Sequence, residues 1–171
     1  HSWLRIGDKP VNSNIFPFRL EPVGDAQHLG RIKEILLSKQ PDDRYFNDYL
    51  LDNDFAHKRE LFNIEKSFNS WPKEFVLGLF NTQTGKLVGF RSGAFKNERE
   101  VLFYLYGLDE AYDEEQVLNI LDHNSINYLF NMGARIVHSI STGFNTTELN
   151  RLILHHGFKI EKSEVVLRRL F

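Results

Sequence analysis

The stretch from Phe75 to Leu108 restricts the fold most, because three apolar runs follow one another there at turn-length intervals. Phe75 to Phe80 reads as a strand, and Asn81 to Gly85 is a turn-type loop ending in Gly. Lys86 to Phe95 reads as the returning strand, and Lys96 to Glu100 is a second polar connection. Val101 to Leu108 is a continuous apolar run, the pattern of a strand covered on both faces. Three consecutive strands joined this tightly must lie antiparallel, so the chain commits to a sheet before any helix packs on it.

On either side the pattern is helical. Asp25 predicts a cap for a helix reaching about Ser38, with Leu29, Ile32 and Leu36 on one face. Pro41-Asp42-Asp43 breaks it, and a second helix is expected from Asp54 to Phe68, with Phe55, Phe62 and Phe68 among its apolar residues. After the sheet, Val117, Leu121, Tyr128 and Leu129 recur at helical spacing between about Glu114 and Met132, and Gly133 suits the C-terminal cap. Ile136 to Ser141 reads as a strand, Thr146 to His155 as a helix stopped by Gly157, and Lys159 to Leu170 as a closing strand. Phe18 to Pro22 reads as the first strand. Residues 1–17, rich in Gly, Pro and Asn, read as an N-terminal arm, and residues 18–171 as one domain. The opening His1-Ser2 suggests a piece of a longer parent chain, with room for a second domain.

Composition removes several function classes. With 42% apolar and 13% aromatic residues, 171 residues suffice for one sizeable core. A formal net charge of −2 with mixed signs leaves no basic footprint for nucleic acid and no polybasic membrane patch. No run reaches the roughly 18 apolar residues of a membrane span. The absence of cysteine excludes disulfides, thiolate nucleophiles and Cys-based metal sites, and it fits a cytoplasmic protein. The seven histidines show no metal-ligand spacing, so no metal is expected. Arg91-Ser92-Gly93 does not complete a Gly-x-Ser-x-Gly elbow, and no phosphate-binding Gly-rich loop is present.

The order of elements resembles the GNAT superfamily of N-acyltransferases from Phe18 to Phe171, an α/β (α+β) fold. A central mixed, mostly antiparallel sheet is flanked by helices. His138 to Phe171, "HSISTGFNTTELNRLILHHGFKIEKSEVVLRRLF", is similar to the family's Asn-helix-Gly-Phe segment through Asn145, Gly157 and Phe158. Arg44 to Asp48, within "DDRYFNDYL", resembles sugar-nucleotide N-acetyltransferases of the dTDP-fucosamine type. The resemblance implies an acyl thioester such as acetyl-CoA bound between the splayed strands 101–108 and 136–141. It also implies a small-molecule amine, such as an amino sugar, as acceptor. It assigns Leu108, Asp109, Gln116, Val117 and Asn145 to the donor side and Arg44 and Asp48 to the acceptor side.

The donor loop departs from that pattern. In "LYGLDEAYDEEQVLNIL", Asp113, Gln116 and Leu118 stand where the family has Gln/Arg, Gly and Gly/Ala around the CoA pyrophosphate. Side chains at Gln116 and Leu118 obstruct close backbone approach. Asp113, Glu114 and Glu115 bring carboxylates toward a pyrophosphate, at about 1 kcal/mol of repulsion per pair 4 Å apart in water. The same acids suit a self-capped helix, with Asp113 as N-cap. Asn145-Thr-Thr-Glu148 likewise reads as a capping box as well as a pantetheine contact. The family's thiolate-protonating Tyr falls at Ile153 here. Tyr106 and His156 are the candidate catalytic side chains, against packing for the Tyr and a helix-dipole role for the His. Two functions follow, a GNAT-like N-acyltransferase and a GNAT-like domain that binds or packs without chemistry.

Overall fold

In the computed structural model, residues 2–5, 15–38, 53–112, 115–141 and 146–163 are described, residues 2–5 and Asn53 by their backbone alone. The elements run β1 (Ser2–Arg5), β2 (Phe18–Pro22), α1 (Ala26–Ser38), α2 (Asn53–Asn69), β3 (Glu74–Asn81), β4 (Leu87–Phe95), β5 (Glu100–Leu108), α3 (Glu115–Asn131), β6 (Ile136–Ser139), α4 (Thr146–His156) and β7 (Lys159–Ile160). A short 3-10 turn, Glu110–Tyr112, links β5 to α3. Among the described residues no helix is long and apolar enough to cross a membrane.

All seven strands form one sheet in the order β2-β3-β4-β5-β6-β1-β7. Every pairing is antiparallel except β5 with β6. The helix between β5 and β6 carries the chain back to the start of the sheet, which is what a parallel neighbour requires. This is the expected α+β architecture with a mixed, mostly antiparallel sheet.

Local chemistry explains the boundaries. Asp25 Oδ1 accepts the His28 backbone N–H at 2.9 Å and caps α1. In the β3–β4 turn, Asn81 Oδ1 accepts the N–H groups of Gln83 and Thr84, and Gly85 closes the turn at φ +70°. Gly133, at φ +106°, ends α3, and Gly157, at φ +71°, ends α4, where the Phe158 N–H returns to the Leu152 carbonyl.

The sheet is covered on both faces. Phe75, Leu77 and Leu79 of β3 join Val101 and Phe103 of β5 and Leu121 and Leu129 of α3 in one cluster. Val76 and Phe80 join Ile32, Ile35 and Ile64 of α1 and α2 in the other.

Three expectations differ in detail. The segment read as an arm contributes a strand, since Ser2–Arg5 lie between β6 and β7 and pair with both. Its partners are remote in sequence, so no local periodicity announces it. Phe55 and Phe62 of α2 are exposed, and Ala56, Ile64 and the polar Glu60 and Ser67 take the buried positions. The closing strand is described for Lys159–Ile160, and residues 164–171 lie outside the described set.

Candidate functional site

The site begins with an irregularity in β5. Arg91 of β4 faces Tyr106 and Gly93 faces Phe103, so Tyr104 and Leu105 together oppose Ser92. Two residues against one make a β-bulge, which bends its strand and increases the local twist. Ser92 fastens it, its Oγ accepting the Leu105 N–H at 3.1 Å. The bulge lies just where β5 and β6 part. Their parallel pairing covers Glu100 to Phe103 on β5 and ends at Phe103 opposite Ser139. From Tyr104 to Leu108, β5 has no partner strand on that side among the described residues. The sheet therefore forks.

Under the fork, on the α3 and α4 face, lies a buried charged network. Arg91, fully buried, donates to the Asp122 carboxylate of α3 through Nη2 and to Glu148 of α4 through Nη1 at 3.4 Å. Its guanidinium lies 4.6 Å from the ring centres of Phe103 and Tyr106. Arg151 of α4 donates from Nε to Asp122 Oδ2 at 2.8 Å and lies 5.2 Å from the Tyr106 ring. Ser141, just past β6, donates its hydroxyl to Glu148 Oε2 at 3.2 Å. Burial pulls Arg91 down to about 10, with Glu148 opposing the shift, so it remains charged at neutral pH. His156 ends α4 with Nε2 4.0 Å from Asp122 Oδ2. Burial, reinforced by the Arg151 charge, lowers its pKa to about 4 and keeps it neutral. Among the described residues, Arg91 Nε, Arg151 Nη2 and His156 Nε2 are buried without a hydrogen-bond partner.

The structure thus brings together Tyr106 and His156, both catalytic candidates, around partners that the sequence reading passed over: Arg91, Asp122, Glu148 and Arg151. A signal was present. Arg91 interrupts the apolar run of β4, and Asp122 directly follows Leu121 on the core side of α3.

The donor-side candidates separate. Leu108 is fully buried, and Val117 is 8% exposed. Asp109 pairs with Arg31 of α1, and its Oδ1 accepts the Ala111 N–H at 3.0 Å. Gln116 is exposed at the start of α3, beside Glu115, whose carboxylate lies 3.6 Å from His155 Nε2. Leu118 packs against the core, so its side chain serves the fold. In this first turn Glu115 adds a carboxylate and Gln116 a side chain, both exposed, beside the backbone amides that an anion would have to reach. Asn145, Arg44, Asp48, Asp113 and Glu114 lie outside the described residues.

On the opposite face of β5 and β6 is a cavity of about 470 Å³. Leu102, Ile136 and Ile140 form its apolar wall, and Lys96, Glu100, His138 and Glu161 its polar rim. His138 Nε2 lies 3.2 Å from Glu100 Oε2. Hydrogen bonding to Asn97, and then to His138, holds the Glu100 carboxyl below its ordinary pKa. Leu102 and His138 are register partners one step before the fork, so the cavity adjoins it.

Among known proteins, no family model matches the chain, and no curated protein matches it. Solved structures do match. An aminoglycoside acetyltransferase, AAC(6')-Iy, in complex with a CoA-linked bisubstrate analogue, is 15% identical, with TM-score 0.58 over 90% of this chain and 99% of that one. Aminoglycoside 6'-N-acetyltransferase AAC(6')-Ih from Acinetobacter baumannii is 10% identical, with the same TM-score and coverage. A tandem GNAT protein from the clavulanic acid biosynthesis pathway is 13% identical, with TM-score 0.55 over 92% of this chain but 48% of its own. At such identities the likeness establishes the fold.

Proposed function

Starting from the GNAT fold, we propose that this chain is an N-acyltransferase that moves an acyl group from a thioester donor to the amine of a small molecule. The fork between β5 and β6 carries the reading, since the described pairing of the two strands stops at Phe103 and Ser139 and leaves the rest of β5 as the edge along which an extended thioester arm would lie. The amine nitrogen would attack the acyl carbon, the C–N bond forming as the C–S bond breaks. One proton then leaves the nitrogen through water or backbone, and one is taken up by the departing thiolate.

We assign that second proton to Tyr106. It stands on β5 past the fork, and the guanidinium groups of Arg91 and Arg151 beside its ring would stabilise the phenolate left behind. His156 suits proton transfer poorly, because a group with a pKa of about 4 is a weak base at neutral pH. The cavity beyond Leu102 and His138 is our candidate for the acceptor, its Glu100 and Glu161 matching an ammonium such as that of an amino sugar. Arg44 and Asp48 would extend the acceptor side, and Asn145 the donor side.

The donor is argued from the misfit at α3. If the pyrophosphate finds no cradle there, a pantetheine thioester, free or on a carrier protein, should serve as well as acetyl-CoA. Thiol release tests this directly, because the cysteine-free chain gives no background with a thiol reagent. Release from acetyl-pantetheine with an amino-sugar panel, at a kcat/KM within about threefold of acetyl-CoA, is the expected result. A preference for acetyl-CoA of a hundredfold or more would show that the phosphates are bound after all.

A second reading rests on the same acidic first turn. A GNAT-like domain that binds or packs within a larger protein would have no use for a phosphate cradle, and tandem arrangements occur among proteins of this fold. No thiol release from any thioester with any amine would favour it.

A further inference from the structure

Among the described residues, no backbone pairing beyond Phe103 and Ser139 holds β5 to the chain leaving β6. One side-chain path does cross the opening. The Tyr106 ring rests against the Arg91 guanidinium, Arg91 donates to Glu148, and Glu148 accepts from Ser141. The path starts on β5, passes through the β4 residue beside it, reaches the first turns of α4 and ends two residues past β6. Asp122 anchors its middle to α3 and holds Arg151 against the other side of the network. Every member but Tyr106 and Ser141 is buried. Arg91 is thus fixed by two carboxylates and two aromatic rings at once, so its position leaves little freedom to either arm of the fork.

We propose that Arg91 and Glu148 are positioning residues that set the separation of the two arms, bridging by side chains a gap that backbone hydrogen bonds no longer span. The functional consequence rests on the acyltransferase reading: the gap so fixed is the slot for the thioester, and its width governs donor binding. A buried ion network suits this task better than apolar packing, because its directional bonds define a distance as well as an affinity. The planar guanidinium, with its fixed fork of donors, is the group that can meet Asp122 and Glu148 together.

Single cysteines can be placed at will in this chain, which has none of its own. Tyr104→Cys on β5 and Ile140→Cys past β6, both at exposed positions, would carry nitroxide labels on the two arms. Dipolar broadening then reads the gap in the otherwise native chain, in Glu148→Gln and in Ser141→Ala. The expected result is one narrow separation in the native background and a broadened or longer one in both variants. In turnover, both should raise KM for the thioester about tenfold with kcat little changed, the pattern of lost donor binding. A merely stabilising network would lower the melting temperature and leave the label separation and KM where they were, which overturns the proposal. Should Glu148→Gln fail to fold, Ser141→Ala decides alone, since it removes only the last link, and an unchanged separation there sinks the bridge. If the native chain releases no thiol from any thioester, the acyltransferase reading fails, while the label separations still decide whether the bridge sets the gap.

Discussion

Asp122 shows how much can depend on one carboxylate. It has no exposure, and its two oxygens serve two arginines, of which Arg91 would otherwise keep only the longer contact to Glu148. Removing one partner from a buried ionic set typically costs about 3–5 kcal/mol, because the remaining charge has lost both water and its counter-ion. Asp122→Asn should therefore lower the urea midpoint sharply. Arg19→Ala, which breaks an exposed pair with Glu21, should cost less than about 1 kcal/mol. Similar midpoints for the two would mean that the network is more hydrated than its burial implies. His156 adds a pH dependence of definite sign. Its folded pKa of about 4 lies below the ordinary value of 6.5, so the unfolded chain binds the extra proton first. The associated stability is fully present above pH 6.5 and is lost as the pH falls toward 4, by roughly 1–2 kcal/mol after allowance for partial hydration. His156→Gln should flatten the stability profile in that window. The losses from Glu74 and Glu100, whose carboxyls are held below their ordinary values, would remain below about pH 4.5. A profile unchanged by the substitution would assign the acid sensitivity elsewhere.

Among the elements, the bulge and the β4 glycines carry the geometry of the fork. A Cβ at Gly93 would meet the Leu102 carbonyl oxygen at 2.5 Å and Phe75 Cζ at 2.6 Å, and a backbone oxygen cannot step aside cheaply. Gly93→Ala should therefore destabilise the sheet by about 1–3 kcal/mol, and Ser92→Ala, which leaves the half-buried Leu105 N–H without that acceptor, by about 1 kcal/mol. Both are read from denaturant midpoints, and near-neutral values would show that the bulge relaxes freely. These elements were mostly legible in the sequence. The strands from Phe75 to Leu108, the Asp25 cap and the Gly133 and Gly157 stops fell within a residue or two of their places, because period, cap and turn are local signals. The bulge was not legible, since an extra residue in an apolar run leaves the run apolar. The charged network was only half legible. Arg91 and Asp122 are charges beside apolar residues, a signal the sequence reading passed over, and their pairing depends on a helix crossing the sheet 31 residues later. The donor loop gave the opposite lesson. Its acidic residues were plain in the sequence, and Leu118 then proved to be core.

For the whole molecule, the sheet is held at one end by β1, which lies between β6 and β7 and is the partner of both. Without Ser2–Arg5, β6 keeps only its parallel neighbour β5, and β7 loses the pairing described for it. Deleting residues 1–5 should lower the melting temperature by several degrees and speed amide exchange in Ile136 to Ser139, while exchange in β3 and β4 stays slow. Uniform exchange across the sheet would mean that β1 is a loosely held addition.

That placement also fixes an order in time. The partners of β1 lie roughly 130 to 160 residues further along the chain. On a ribosome adding about 5–20 residues per second, β1 waits on the order of ten seconds for the segments that will hold it. During that interval β3, β4 and β5 can already associate, while the free side of β5 stays open to any other extended chain nearby. The nascent protein therefore exposes, until β6 is made, the same side of β5 along which the finished one forks.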